Sequence, residues 1–471
     1  MNDSENDTVN SVASESEDLS RTLTDFLTGL GFDSLDETTV NATCALCLDW
    51  LGSALAGSQA QPVVALAKFA QMMGPNDGEA QVLSGLSRSS AYFAALINAA
   101  SSHVVEQDDL HNASVLHPAT VVFPPLLALS QSQVIDGPTF ITAAVAGYEA
   151  GIRVGEYLGP SHYRIFHTTG TAGTLAAAVA VGKLLGLDTT KMSHAFGSAG
   201  TQAAGLWEFL KSAAHSKQLH TAKAAADGML SAITADFGLT GASNILEGSK
   251  GLNAGMLGEG HSARLVGGLG DRFRIVDTSI KYHASCRHTH PAADALLALV
   301  IEHDLASDKI ASIEAHVYQA AIDVLGPVTD PGTVHQAKFS MGFVLALIAA
   351  RRSAGVADFT DSSLNDPLLR NLHNRVTMVV DPDIEAAYPD KWSARIVVTT
   401  KNGQRLTRKI TVPKGDPDNP LSRAELENKF IALATRHPDV DRTEADRLIE
   451  VIANLEQLED VGRSLRIVAA G

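Results

Sequence analysis

Four stretches of the chain gather titratable side chains among small or apolar ones, a setting suited to acid–base chemistry on an anion. The first is Asp108-Asp109-Leu110-His111-Asn112-Ala113-Ser114-Val115-Leu116-His117-Pro118. Two adjacent carboxylates followed by two histidines could supply a base and an acid; the same residues would also make a turn with surface carboxylates and a helix cap. The second is His167-Thr168-Thr169-Gly170-Thr171-Ala172-Gly173, running into an Ala-rich segment. Free backbone N–H groups at such a helix start, around Thr169 and Gly170, can receive a carboxylate or a phosphate, although an ordinary capped start reads the same way. The G-K-[ST] ending of a P-loop is missing, and no strand precedes the glycines as a dinucleotide fingerprint requires.

The third stretch is His215-Ser216-Lys217-Gln218-Leu219-His220-Thr221-Ala222-Lys223. On a helix, Lys217 and His220 share a face. A lysine flanked by small residues can be partly buried, serving as a cation for a carboxylate or as a proton donor. The fourth runs from Lys281 to Pro291 and holds His283, Cys286, Arg287, His288 and His290. Its H-x-H with an upstream cysteine lacks the usual zinc spacing and has no carboxylate beside it. We therefore expect an anion-binding cluster, with no metal and no cofactor.

Removing a proton next to a carboxylate needs a base and cations to hold the developing dianion. Dehydration adds an acid on the leaving hydroxyl. Epimerisation adds a group that returns the proton to the other face, and decarboxylation one that protonates the carbanion. Histidine suits all these roles because its ordinary pKa lies near neutrality. The residue types alone leave the three chemistries open.

The elements that must position these groups follow from pattern. The chain has 471 residues, 45% hydrophobic and 19% charged, so two domains are expected. Residues 1–18 are acidic and Ser/Asn-rich with no Lys or Arg, and read as a disordered tail. Residues 19–268 read as helices, with apolar residues at three- and four-residue spacing and abundant alanine, so their axes should approach closely. β-rich runs then appear in FRIVDTSIKY, KIASIEAHVYQ, NRVTMVV and WSARIVVTTKNGQRLTRKITV, the last with a hairpin turn at Lys401-Asn402-Gly403-Gln404. Residues 269–412 are accordingly expected to form a smaller α+β lid, inserted in a discontinuous helical domain that resumes over 413–471. The fold class is mainly α with an α+β part.

Composition narrows the partners. Acids outnumber bases 53 to 36, a net charge of −17, which disfavours nucleic acid and anionic lipid. Three cysteines, Cys44, Cys47 and Cys286, make no disulfide framework and fit a reducing compartment. No signal-peptide pattern or membrane span is read, so a cytoplasmic location is expected.

At the four stretches the chain resembles the MmgE/PrpD family, whose members include 2-methylcitrate dehydratases, cis-aconitate decarboxylases and iminodisuccinate epimerases. The matching features are DD-x-H…HP at 108–118, H-x-TGT-x-G at 167–173, S-K-x-x-H-x-x-K-AA at 216–225, ILEG-x-x-G at 245–251, IK-x-x-x-x-C-R-x-TH at 280–290, and Gln336-Ala337-Lys338-Phe339-Ser340. The resemblance implies a homodimer with a metal-free site between a helical domain and its lid. It implies active-site roles for Asp109, His117, His167, Lys217 and Lys281. His111, Thr169, Gly170, His220, Cys286, Arg287 and His290 would bind substrate around them. Departures fall at Cys286, where dehydratases carry histidine, and at Leu110 and Ala222. The implied activity is a cofactor-independent lyase, dehydratase or decarboxylase, on a small di- or tricarboxylate. The alternatives are an isomerase epimerising an iminodisuccinate-like acid, or an inactive binding protein.

Overall fold

Small residues let the longest helices meet. In the computed structural model, which describes residues 18–212 and 214–469, helix Gly137–Tyr163 packs along helix Thr168–Leu184, which packs along helix Ser216–Asp236. A side chain added at Gly151 would lie 2.7 Å from Ala176 Cβ, and one at Gly228 would lie 2.7 Å from the Thr174 carbonyl. Only glycine permits these close approaches, as the alanine-rich sequence predicts. The acidic stretch read as disordered lies outside the described residues apart from Asp18.

Helix makes up 58% of the structure and strand 9%, so the class is mainly α with an α+β part. Two apolar cores form. The first collects Leu23, Trp50, Phe123, Tyr148 and Leu175, and the late helices Arg423–Ala434 and Arg442–Ala453 add Leu426, Phe430, Leu448 and Ile452. The second collects residues from Ala284 to Leu406, with Leu110 reaching in from the first half of the chain.

A four-stranded sheet backs the second core, in the order Val376–Val380, Ile310–Val317, Ala394–Thr400, Arg405–Ile410. The first pair is parallel (Ile313 opposite Val376) and the others antiparallel. The hairpin turn falls at 401–404, where Gly403 takes φ +85°, the conformation that favours Asn-Gly sequences. Helix His290–Glu302 covers the sheet.

The chain crosses between cores at 276–283 and returns at 411–419. FRIVDTSIKY, expected as a strand, is a 3₁₀ turn (Arg274–Asp277) and a two-residue strand (Thr278–Ser279) paired with Leu110–His111. Its next N–H, from Ile280, bonds the Gly415 carbonyl at 2.8 Å, so the two crossings hold each other rather than a sheet. Asp416 fastens them by accepting from Ser279, Arg287 and Asn112. A second difference is the small hairpin Ala80–Val82/Ser87–Ser89 within the stretch read as helical.

Glu149 and Arg153 form a fully buried pair at 2.5 Å. Arg153 also donates to the Leu265 and Gly267 carbonyls at 3.1 and 2.9 Å, and Glu149 accepts the Arg274 N–H at 2.7 Å. Removing one partner leaves a buried charge uncompensated, which costs about 3–5 kcal/mol. Glu149→Ala should lower unfolding free energy by that amount in urea titration; a loss under about 1 kcal/mol would show the pair to be solvated.

Candidate active site

Helix Ala91–Val104 carries His103 in its last turn. Glu106 then turns the chain with φ +57°, a left-handed conformation that costs a non-glycine residue roughly 1–3 kcal/mol and persists only where its surroundings hold it. Val115, a β-branched residue at φ +48°, makes a second such turn two residues before His117. Both strained positions flank one cluster.

At its centre, Asp108 Oδ2 lies 2.6 Å from His103 Nδ1 and 3.2 Å from His117 Nδ1. Thr169 Oγ1 accepts the His117 N–H at 3.2 Å and ties this segment to the start of helix Thr168–Leu184. Beside it, Lys217 pairs with Glu106, and Lys281 Nζ stands 3.7 Å from both Glu106 Oε2 and Asp108 Oδ1. Lys338, the last residue of the short helix Val334–Lys338, donates to the Val105 carbonyl at 2.7 Å. Lys217, Lys281, Glu106 and Asp108 are all 3% exposed or less.

A wall of rings continues from the cluster. His103 stacks on His167 (centroids 5.7 Å apart), which packs on Trp207 (4.7 Å) and meets His220 Nδ1 through its own Nδ1 at 3.3 Å. The wall is aligned by backbone bonds from His167 to Gly205 (3.0 Å) and from Trp207 to Ile165 (3.1 Å). Gly205 takes φ +152° with His220 and His167 packed where a side chain would stand. His103 Nε2, His167 Nε2 and Trp207 Nε1 are buried with no hydrogen-bond partner. Buried polar atoms are ordinarily satisfied, so these three mark where a ligand's polar groups would be met.

Electrostatics sort the groups. Burial would raise the Glu106 carboxyl, but Lys217 and Lys281 outweigh it and hold the group well below the usual carboxylate range. Burial acts likewise on Asp108 and is outweighed by the two imidazoles and Lys281. Burial drives His103 and His167 below their ordinary value, and brings His117 and His220 down to about 4. The imidazoles are therefore neutral at pH 7. Since Asp108 is ionised, His103 Nδ1 donates to it and Nε2 keeps a free lone pair, a base aimed away from its carboxylate. Burial lowers Lys338 to about 8, so it can give up a proton near neutrality.

Other expected site residues stand elsewhere. Asp109 does not join the cluster: its carboxylate accepts the Ala119 N–H at 3.1 Å and the Tyr148 hydroxyl at 2.8 Å, and burial raises its pKa far above the ordinary range. It anchors helix Ala119–Ser130. His111 bonds Ser114 Oγ at 2.9 Å, and burial lowers it to about 3. Gly170 supplies close approach, because a side chain there would meet the Ala204 carbonyl and His220. Of the 281–290 set, Lys281 enters the cluster, and Cys286, whose N–H bonds the Lys338 carbonyl, lies in the field of Lys281, Glu106 and Lys217. Burial lifts its thiol to about 11, so it stays un-ionised. Arg287 is taken by Asp416, and His290 faces Arg287 and the Ser285 carbonyl. His283 bonds Asp294, and His288 bonds Tyr318.

Glu106, His103 and Lys338 were not singled out from sequence. The only sequence signal for His103 and Glu106 is their polarity at the end of an alanine-rich helix. His103, Asp108 and His117 are also the one trio of metal-capable groups found together among the described residues, with donor atoms within 4.8 Å. The 2.6 Å separation of His103 from Asp108 is that of a hydrogen bond, and Lys281 occupies the other face of the carboxylate. A cation would have to displace that proton and face the ammonium, so the trio reads as a hydrogen-bonded base.

The MmgE/PrpD N-terminal domain matches residues 21–264, and the MmgE/PrpD C-terminal domain matches residues 283–457. The cis-aconitate decarboxylase-like protein oryM of Aspergillus oryzae is 26% identical over 447 residues, covering 90% of this chain and 92% of the relative. The cis-aconitate decarboxylase of Homo sapiens is 25% identical, covering 92% of this chain and 90% of its own. That of Aspergillus terreus is 25% identical, covering 80% of each chain. The two matches together span both halves of the chain, which belongs to the MmgE/PrpD family.

Proposed function

We propose that this chain is a cofactor-independent lyase acting on a small di- or tricarboxylate, and that decarboxylation of a cis-aconitate-like acid is its reaction. The observation that carries the reading is the count of buried charge: Lys217, Lys281 and Lys338 surround only Glu106 and Asp108. The surplus ammonium attracts a substrate carboxylate where water is excluded. In this reading the lysines hold the substrate's carboxylates. The bond from carbon to the departing carboxylate breaks, CO₂ leaves, and its electron pair passes into the adjacent double bond to form an allylic carbanion. A proton from Lys338, or from His117 once the substrate's charge has protonated it, then closes the carbon. The relatives' names support decarboxylation over dehydration. The neutral imidazoles are ready bases, which favours epimerisation as the second reading. A homodimer, as the resemblance implies, and a cytoplasmic location, as the sequence pattern suggests, belong to the same proposal. No helix among the described residues is long and apolar enough to cross a membrane.

Purified protein offered cis-aconitate, citrate, methylcitrate and iminodisuccinate in D₂O separates the readings by NMR. CO₂ release with one deuterium placed in the product is expected. Exchange next to a carboxylate without loss of CO₂ or water would make the protein an isomerase, and no change in any acid would leave a binding protein. Lys217→Ala and His167→Ala should each lower kcat by about 100-fold or more with the circular dichroism unchanged. Near-normal turnover would remove either residue from the site. Activity should also survive EDTA; a loss restored by zinc would move the His103–Asp108–His117 trio to a metal-binding role.

Binding should take up protons. Burial brings His117 and His220 to about 4, and substrate carboxylates beside them would raise those values. A group whose pKa rises on binding is protonated by it, so affinity should strengthen as pH falls from about 7 toward 5 and level off near 4. Calorimetry of tricarballylate binding in buffers of different ionisation enthalpy reads the proton count directly. Proton release instead of uptake would show that the imidazoles do not face the ligand.

A further inference from the structure

Three consecutive backbone carbonyls, those of Val105, Glu106 and Gln107, each accept a hydrogen bond from a lysine ammonium. Lys338 reaches Val105 at 2.7 Å, Lys281 reaches Glu106 at 3.3 Å, and Lys429 reaches Gln107 at 2.8 Å. The donors come from three separate parts of the chain. Lys338 and Lys281 also lie among the charges of the candidate site. Lys429 does not: it lies on helix Arg423–Ala434, and its other partner is Asp49, on helix Glu37–Ala56. Both side chains are buried, 7% and 0% exposed.

We infer that Lys429, backed by Asp49, is a positioning residue for the reaction: by fixing the Gln107 carbonyl it aims the carboxylates of Glu106 and Asp108 on either side. Three observations support this. Glu106 stands in a left-handed conformation that its neighbours must hold, and Lys429 grips the adjoining residue. The Gln107 side chain cannot substitute, because its Nε2 is committed to the Tyr282 carbonyl at 2.8 Å. Asp108 and Lys281 act on the titration of both Asp49 and Lys429, so the pair and the site share one electrostatic field. A buried ion pair is also a poor source of stability, since an apolar pair of similar volume often replaces it without loss. What such a replacement cannot supply here is the bond to Gln107.

The inference rests on the lyase reading for turnover, so the experiment reads the two separately. The double variant Lys429→Met, Asp49→Leu removes both charges together and leaves no buried ion alone. Wild-type protein and variant are compared for cis-aconitate decarboxylation across pH 5–9, and for the imidazole Cε1–H resonances of His103 and His117. We expect an unchanged thermal unfolding midpoint, a kcat lowered by about 100-fold as for a displaced reacting group, a displaced pH profile and moved resonances of both histidines. A folded variant with wild-type kcat, pH profile and resonances overturns the inference. Should wild-type protein leave cis-aconitate unchanged, the lyase reading falls, and the histidine resonances alone decide: moved, they support positioning; unmoved, they refute it. If the double variant does not fold, Lys429→Gln with Asp49→Asn removes both charges but keeps a polar pair, its amide ending one atom short of the lysine ammonium that reaches Gln107. A folded amide variant with lowered kcat and moved histidine resonances supports the inference, and one with wild-type kcat, pH profile and resonances overturns it.

Discussion

An ammonium group taken out of water must recover in hydrogen bonds and opposite charge what it loses in hydration, or release its proton. This chain buries four lysines around residues 105–108 and meets that demand with two means: the carboxylates of Glu106, Asp108 and Asp49, and three consecutive carbonyls of one short buried turn. Much of the remaining architecture follows from keeping that turn in place. Helix Ala91–Val104 must end there, Glu106 must adopt a left-handed conformation, and helices from the beginning, middle and end of the chain must converge on it. The late helices Arg423–Ala434 and Arg442–Ala453 thus complete the first core and, through Lys429, also reach the site.

The two crossings between the cores meet the same constraint. Lys281 stands on the outgoing crossing, one residue from the Ile280–Gly415 bond and two from Ser279, which Asp416 holds. Any relative movement of the cores therefore passes through the residue that carries Lys281. The ammonium groups are almost wholly enclosed in this structure, which keeps water from them.

The sequence made the class of fold legible because its periodicities differ: alanine-rich helical spacing up to the crossing, and β-rich runs with an Asn-Gly turn after it. It made the site's neighbourhood legible because polar residues stand out in apolar surroundings. It did not resolve direction. In an extended stretch successive side chains point to opposite faces, so of Asp108 and Asp109 only one can face the imidazoles, and composition cannot say which. The run 281–290 failed differently. Its 3₁₀ turn at Arg287–Thr289 fans the side chains apart, sending His283 to Asp294, His288 to Tyr318 and His290 to Arg287, while Lys281 and Cys286 stay with the site. Lys429 was invisible because nothing near it in sequence carries chemistry, and its partners are over 300 residues away.

The arithmetic of buried charge also bears on which ligands the site can select. A surface of net charge −17 repels a polyanion at long range, but over about 8 Å of screening at physiological ionic strength that repulsion is largely lost. Discrimination must then occur inside. Three ammonium groups against two carboxylates leave one positive charge, which a monocarboxylate would cancel. A second or third carboxylate would over-fill the site unless further positive charge appeared, and an uncharged reserve of it stands in the rings of His103, His117, His167, His220 and His335, lowered by burial. On the proposed lyase reading, admission of a di- or tricarboxylate would then be coupled to protonation of those rings. The arriving anion would make the imidazoles acids where a carbanion needs one, whereas a monoacid, balanced by the lysines alone, would leave them as bases. Burial, which lowers these histidines, would in that reading be what couples the number of carboxylates to the protonation state of the site.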